Sequence, residues 1–254
     1  MSDSKDQQKR KLADLAYEER YLQNNNLRVS KFDPHSQNDE LGSLRINLLS
    51  LLLPKLKGNV LDYGSGLCEI SEYLAVQGVQ MVALDMFDGY LKASKLRSAN
   101  YQGIDLSHVA GDCEALPFAA ESFEAAICSE VLHHVPNPKI GASELFRVMQ
   151  PEGLCLVIEP NALSPLRRVK ELVVSRREKI VETSFYPWKL KKIFQSAGFE
   201  VVALPISKFK VPLKKRGLIF TFLYKLANGP IIWRLINDSL LLVKKPSIPK
   251  TTSN

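Results

Sequence analysis

Two glycines, Gly64 and Gly66, separate an apolar run from a helical stretch in the segment VLDYGSGLCEIS, residues 60–71. A turn between a strand and a helix needs glycine where φ is positive and where a ligand must approach the backbone closely. The dinucleotide pattern G-x-G-x-x-G would want a third glycine where Glu69 stands, and a carboxylate there disfavours a pyrophosphate. No P-loop lysine follows the turn. The residues therefore favour a ligand that carries a positive charge and no phosphate.

A pair of histidines could supply acid–base chemistry. His133 and His134 follow the apolar run EAAICS, where a substrate would enter. Either histidine is a candidate catalytic base for an acceptor that must lose a proton. The alternative is that the pair only turns the loop and packs beneath it. A metal site is not expected on the pair, because no third ligand stands at a useful spacing.

The elements that position these residues follow from an alternation along the chain. Short β-rich runs are separated by helical stretches, and a helix, a strand and a last strand follow Pro160. The predicted strands are NVLDY (59–63), QMVALD (80–85), LSHVAG (106–111), EAAICS (124–129), GLCLVIEP (153–160), FEVVAL and DSLLLVKK. This order predicts an α/β fold with a mostly parallel, doubly wound sheet and helices on both faces. Binding sites of such sheets lie at the carboxyl ends of the strands.

Composition and length indicate one globular domain with added segments at its ends. The 254 residues are 45% apolar and 24% charged. We predict an arm or lid at 1–40, a ligand-binding core at 41–160, a C-terminal part of the same domain at 161–246 and a tail at 247–254. The start MSDSKDQQKRK does not resemble a secretory signal, and no run of eighteen apolar residues occurs, so we expect a cytoplasmic protein. The four scattered cysteines are expected to be free thiols.

The first motif resembles that of the class I S-adenosylmethionine-dependent methyltransferases, in particular the type 11-like group with the pattern [DE]-x-G-x-G-x-G. Asp62, Gly64 and Gly66 match this pattern, and Cys68 replaces the third glycine. GDCEALPF at 111–118 is similar to the G-D-A-E-x-L-P-F motif of the group. The resemblance extends over about residues 58–160. It implies a Rossmann-like, seven-stranded sheet whose last strand is antiparallel.

The resemblance also implies a role for each matched residue. Asp85 would bind both ribose hydroxyls, Met86 would pack on the adenine, and Asp112 would accept from the adenine amino group. Asp62 would orient the turn and the ammonium group, and the Cys113 backbone would face the ring. The implied cofactor-binding residues are Asp62, Gly64, Ser65, Gly66, Asp85, Met86, Asp112, Cys113 and Ser129.

Charge is concentrated in one part of the chain. Residues 162–216 contain fourteen Lys or Arg and four Asp or Glu, whereas the whole chain has a net charge of +7. Solvated helix faces or an anionic partner would each explain this local excess. The stretch 208–236 adds interrupted apolar segments with aromatic residues beside Lys and Arg, as at a membrane interface. Contact with an anionic membrane at the inner face, or packing as a lid or dimer contact, are the two alternatives for this stretch.

These observations predict an S-adenosylmethionine-dependent methyltransferase that acts on a small or lipophilic acceptor. A sequence N-P-P-[YF], which resembling amide and exocyclic-amine methyltransferases use, is absent after the fourth strand, where SEVLHH stands. Nucleic acid is a less favoured partner, because the basic region lacks an interleaved aromatic pattern. The alternatives are an RNA or protein methyltransferase, and a binding protein of the same fold without turnover. The sequence does not identify the acceptor atom or the oligomeric state.

Overall fold

The computed structural model describes residues 8, 11–13, 15, 16, 18–20, 22, 23, 58–164, 167, 184–202 and 239–247. The apolar run before Gly58, most of the basic stretch after Pro160 and the predicted membrane-contact stretch 208–236 lie outside the described residues. The described residues between 8 and 23 are helical and are called the arm below.

Helices and strands follow the predicted order closely. The strands are β1 Asn59–Tyr63, β2 Gln80–Asp85, β3 Leu106–Ala110, β4 Phe123–Ser129, β5 Met149–Glu159, β6 Glu200–Val202 and β7 Ser239–Lys244. The helices that follow the arm are α1 Glu69–Ala75, α2 Asp88–Ser98, α3 Pro138–Val148 and α4 Pro187–Ser196. Each predicted run thus forms the expected kind of element, with ends that differ by a few residues.

The strands form one seven-stranded sheet in the order β3-β2-β1-β4-β5-β7-β6. β1 pairs in parallel with both β2 and β4, and β7 pairs antiparallel with both β5 and β6. The predicted fold class, including the antiparallel last strand, is confirmed. Because chain order reverses between β1 and β4, a crevice opens beside the carboxyl end of β1.

Two apolar layers cover the sheet because alternate residues of each strand point to opposite faces. In β1, Val60 packs with Leu74 of α1 on one face, whereas Leu61 and Tyr63 pack with Leu145 of α3 on the other. The carboxyl ends of the strands are thereby held between two buried layers.

The residues at the start of α3 explain why the helix begins there. Asn137 caps the helix by accepting a hydrogen bond from the Ile140 amide at 3.4 Å, and Pro138 occupies the first turn. Asn at the cap and Pro at the first helical position both favour a helix that begins there. The segment 130–136 between β4 and α3 is therefore bounded at its far end by a defined helix start.

Cys68 occupies a backbone conformation that usually belongs to glycine. Its φ is 58°, directly before α1, and its side chain is fully buried beside Ala83 and Leu91. Its thiol lies 3.3 Å from Ser65 Oγ. The left-handed conformation costs a residue with a Cβ about 1 kcal/mol or more, while the buried side chain contributes packing energy that offsets this cost.

We expect Cys68→Gly to change the free energy of unfolding by less than about 1 kcal/mol, because relief of backbone strain offsets the lost packing. Cys155→Gly is the matched control, since Cys155 is also fully buried but lies within β5. That change should cost about 2 kcal/mol or more. Urea denaturation of both variants measures the difference, and equal losses of stability would contradict the expectation.

All four cysteines are buried free thiols, as the sequence predicts. Burial raises the pKa of the Cys68 thiol to about 12. Among the described residues, no helix has the length and apolarity that crossing a membrane requires.

Candidate active site

An open cleft lies at the carboxyl ends of β2, β3 and β4. Its lining residues come from four parts of the chain. They are Lys11, Leu15 and Glu18 of the arm; Asp85, Met86, Phe87 and Tyr90 after β2; Asp112 and Cys113 after β3; and Glu130, Val131, His134, Val135 and Pro136 after β4.

Asp85 connects the cleft to the glycine turn. Its Oδ2 accepts a hydrogen bond from the Gly66 amide at 2.8 Å, and its Oδ1 accepts one from the Phe87 amide at 2.8 Å. Burial raises the pKa of Asp85, and these amides reduce that rise because they stabilise the carboxylate. The side chain therefore shapes the turn in addition to lining the cleft.

The glycine turn has the geometry that the sequence predicts. Gly64 and Gly66 have φ values of 70° and 51°, in the left-handed region that favours glycine. A Cβ on Gly64 would lie 2.0 Å from Cγ2 of Val131, which lines the cleft. Glycine at this position thus allows the segment after β4 to approach the turn after β1.

A buried ion pair between Arg97 and Glu72 contacts the backbone that follows the glycine turn. The Arg97 guanidinium donates to Glu72 Oε1 at 2.7 Å and to the Leu67 carbonyl at 2.5 Å, directly after Gly66. Glu72 also accepts from Ser94 Oγ at 2.6 Å. The network therefore ties α1 and α2 to the turn backbone.

Asp62 lies beneath the turn and does not line the cleft. It is 2% exposed, and its Oδ2 accepts a hydrogen bond from Ser71 Oγ of α1 at 2.6 Å. This contact fixes the distance between β1 and α1, the two elements that the glycine turn joins. The structure thus shows a contact of Asp62 with α1, and a contact with the cofactor ammonium stays a prediction.

Asp112 and Cys113 line the cleft from the GDCEALPF motif. Asp112 Oδ1 accepts from the Glu114 amide at 2.9 Å, which closes a local turn. The buried Tyr63 hydroxyl donates to the Cys113 carbonyl at 3.0 Å. The motif is therefore held against β1 from inside the core.

The arm contributes a cation and an acid to the cleft. Lys11 Nζ lies 2.6 Å from Asp112 Oδ2 and 2.5 Å from Glu114 Oε2, and Glu18 accepts a hydrogen bond from the Tyr90 hydroxyl. Burial tends to lower the pKa of Lys11, but the two carboxylates outweigh burial and raise it. The arm thus contacts the segments after both β2 and β3.

The two histidines occupy different environments. His134 lines the cleft, whereas His133 is 3% exposed and its Nδ1 lies 2.9 Å from Oε2 of Glu159, at the end of β5. The ring centroids of the pair are 4.1 Å apart. Of the two, only His134 is placed to meet a ligand in the cleft.

The structure brings five of the eleven predicted site residues to one cleft. Asp85, Met86, Asp112, Cys113 and His134 line it, whereas Asp62, Gly64, Ser65, Gly66, Ser129 and His133 are not among its lining residues. Ser65 belongs to the turn, where its amide donates to the Leu84 carbonyl at 2.8 Å. Ser129 ends β4, and its buried hydroxyl has no hydrogen-bond partner among the described residues.

Several cleft residues, and Glu159 near the cleft, were not predicted from the sequence. Lys11, Leu15 and Glu18 follow one another at intervals of four and three, so helical spacing alone places them on one face. Glu159 ends a strand as Asp85 does, and its position would have marked it in the same way. Glu130 has a φ of 56°, and the local sequence carries no signal for that conformation.

The chemistry of the cleft fits S-adenosylmethionine. Among the described residues, the acids Glu18, Asp85, Asp112 and Glu130 and the lysine Lys11 line it, and apolar surface is provided by side chains such as Met86, Phe87 and Val135. An acidic and partly apolar cleft suits a ligand that has a cationic centre, hydroxyls and an aromatic ring. Among the described residues, no group of His, Cys, Asp and Glu is arranged to hold a metal ion.

Comparison with known proteins agrees with this fit. Residues 61–157 match the family model described as a methyltransferase domain. The chain is 41% identical over 100 residues to a demethylmenaquinone methyltransferase of Renibacterium salmoninarum. The aligned segment covers 39% of this chain and 40% of that protein. It is 29% identical over 134 residues to a ubiquinone biosynthesis O-methyltransferase of Xylella fastidiosa, spanning 51% and 54% of the two chains. The chain thus spans about half or less of the length of these curated relatives.

Solved structures show the same fold at low sequence identity. An S-adenosylmethionine-dependent methyltransferase from Mesorhizobium loti superposes with a TM-score of 0.61 at 14% identity, over 81% of this chain and all of that one. The [4+2]-cyclase SpnF superposes with a TM-score of 0.57 at 16% identity, over 84% and 86% of the chains. Residues 61–157 of this chain accordingly match a methyltransferase domain, and the chain shares its fold with these solved structures.

Proposed function

We propose that this protein transfers a methyl group from S-adenosylmethionine to a small lipophilic acceptor that carries an ionisable hydroxyl. The observation that carries the proposal is the shared cleft, in which predicted cofactor residues after β2 and β3 face His134 after β4. The names of the relatives support the class of acceptor, because they refer to menaquinone and ubiquinone compounds. Fold similarity alone would not support it, since the same fold occurs in a cyclase.

The residues of the cleft divide between cofactor and acceptor. Asp85 would accept hydrogen bonds from the ribose, Asp112 from the adenine amino group, and Met86 would contact the adenine ring. The bound cofactor supplies an electrophilic methyl group on a sulfonium. Holding donor and acceptor in line can contribute about 7–11 kcal/mol to such a displacement. The chain would therefore act mainly by orienting the two molecules.

His134 would provide the general base, which orientation of the two molecules alone does not supply. A neutral imidazole on the cleft wall can accept the proton of an acceptor hydroxyl, which leaves an anionic nucleophile. The proton then resides on a ring nitrogen of His134 until solvent removes it. Val131, Val135 and Pro136 lie beside His134 and form an apolar wall for the rest of the acceptor.

Binding and turnover are tested separately. Isothermal titration calorimetry with S-adenosylmethionine should show saturable binding, and thermal denaturation should shift upward with ligand concentration. Incubation with methyl-labelled cofactor and a lipid extract should then transfer label to an extractable, apolar product. Binding without any labelled product would favour a protein without turnover, and label in RNA or protein would favour those acceptors.

The arm gives a prediction about cofactor affinity. We expect Lys11→Ala to weaken S-adenosylmethionine binding by about fivefold, because loss of a half-buried ion pair costs about 1 kcal/mol and releases one wall of the cleft. Lys92→Ala is the matched control, since Lys92 forms an exposed pair with Asp88 on α2. Calorimetry should show the control unchanged, and tighter binding by Lys11→Ala would mean that Lys11 competes with the cofactor for Asp112.

Contact of residues 208–236 with an anionic membrane stays a prediction from sequence, because these residues lie outside the described ones. A lipophilic acceptor is consistent with such a contact and does not require it.

A further inference from the structure

Glu159 at the end of β5 holds three consecutive residues of the segment after β4. The carboxylate is completely buried, and its Oε1 accepts hydrogen bonds from the amides of Val131 at 2.9 Å and Leu132 at 2.7 Å. Its Oε2 lies 2.9 Å from His133 Nδ1. One side chain therefore fixes both the backbone and a ring in the segment that immediately precedes His134.

These contacts lead directly to the cleft. Val131 lines it, and the His134 amide donates to the Val131 carbonyl at 2.9 Å, so the backbone turn that presents His134 starts at the anchored residue. The His133 ring, held by Glu159, lies against the His134 ring with centroids 4.1 Å apart. The position of His134 thus depends on Glu159 through the backbone and through the neighbouring ring.

The same contacts determine which nitrogen of His133 carries the proton. When Glu159 is ionised, both of its oxygens are acceptors, so His133 Nδ1 is the donor and Nε2 of the neutral ring carries no proton. Burial raises the pKa of Glu159 to about 7, and the Leu132 and Val131 amides and the charge of His134 oppose that rise. Other titratable groups near it among the described residues include Glu130 and Cys128, whose thiol lies 4.0 Å from Oε1.

We propose that Glu159 is a positioning residue for the acceptor half of the site, which holds His133 in the Nδ1–H form and, through it and the Val131–Leu132 backbone, places His134 as the base. This inference rests on the proposed function and adds a residue that does not touch the cleft. A negative charge behind His134 also favours the imidazolium that forms when His134 takes the acceptor proton.

Glu159 could hold the Val131 and Leu132 amides without influencing the histidines. The Glu159→Gln variant distinguishes such a structural anchor from a residue that positions His134. The glutamine has the same shape, and its single oxygen can accept from both amides. Its amide nitrogen then faces His133 and donates, which requires His133 to accept at Nδ1 and to carry its proton on Nε2. The variant therefore retains the anchor and reverses the tautomer. Glu152→Gln is the matched control, because Glu152 lies on the same strand with an exposed side chain near Lys244.

We expect Glu159→Gln to lower kcat by about 10- to 100-fold with cofactor affinity within twofold of wild type, because His134 loses the negative charge behind it and the His133 tautomer reverses, while the cofactor wall is intact. The acid limb of the kcat/KM profile should move to lower pH, since removal of a nearby negative charge lowers the pKa of a histidine. The control variant should match wild type in all three measurements. An unchanged kcat and acid limb in the folded Glu159→Gln variant would overturn the proposal.

A measurement on the wild-type protein tests the same contact without turnover and without a variant. Two-bond ¹H–¹⁵N spectra of histidine-labelled protein should show His133 as the Nδ1–H form, and an Nε2–H form would overturn the proposal. If the protein methylates no apolar acceptor, the proposed function fails, while the His133 tautomer still reports on Glu159. The two failures are therefore distinguishable.

Discussion

Replacing His134 by alanine is expected to lower kcat for methyl transfer by about 100-fold or more, since a positioned base contributes about 10²–10⁴ to such a reaction. His134 lines the cleft opposite the predicted cofactor residues, and the neighbouring His133 is buried against Glu159 and cannot replace it. The rate is measured with methyl-labelled cofactor and the best acceptor from the lipid extract. Affinity for S-adenosylmethionine should be nearly unchanged, because the predicted cofactor contacts lie after β2 and β3.

Chemical rescue separates a base from a packing residue at this position. Alanine leaves a space beside Val131, so added imidazole should restore part of the rate, and the restored rate should rise with the fraction of neutral imidazole. His134→Gln keeps a polar side chain of similar size, cannot act as a base at neutral pH, and should be as slow as His134→Ala. A rate within threefold of wild type in both variants would show that the acceptor needs no base.

Replacing Asp85 by alanine is expected to weaken S-adenosylmethionine binding by about 10- to 100-fold or more. Hydrogen bonds to a charged acceptor contribute about 1.5–3 kcal/mol, and the ribose hydroxyls would lose that acceptor. The structure adds a second cause, because the Gly66 and Phe87 amides lose their partner when the carboxylate is removed. Calorimetry measures the affinity, and circular dichroism checks that the variant is folded.

Asp88→Ala serves as the control for Asp85→Ala. Asp88 begins α2 three residues further on, with a side chain that is 54% exposed and paired with Lys92. Its removal should leave cofactor affinity within twofold of wild type. Undiminished affinity in a folded Asp85→Ala variant would show that the ribose is bound elsewhere and that Asp85 only shapes the glycine turn.

The order of elements was predictable because strands and helices carry different apolar periods. Runs such as QMVALD and EAAICS are short, rich in apolar residues and bounded by turn residues, and they became β2 and β4. The antiparallel direction of β7 was expected only from the resemblance to a family, and its position between β5 and β6 was not predicted. Strand order depends on pairing between distant segments, which local periodicity does not encode.

Part of the candidate site was also predictable from the sequence. Glycine at positions 64 and 66 predicts a left-handed turn wherever the fold places it, and acids at strand ends of a parallel sheet must meet at one edge. Asp85 and Asp112 do so. These inferences succeeded because they concern backbone conformation and the direction of parallel strands.

Other features were decided by the tertiary structure alone. Nothing in the pair His133–His134 tells which ring meets the cleft, because the choice is made by Glu159, which lies 26 residues further along the chain. Likewise the contact of Lys11 with Asp112 joins residues 101 positions apart. The residue types and their spacing predicted which side chains could bind a ligand and which strand ends would carry them. Which histidine faces the cleft depends on buried contacts between charged groups that are distant in sequence. These contacts form only when the whole chain has packed, because desolvation and hydrogen-bond geometry depend on every neighbouring segment.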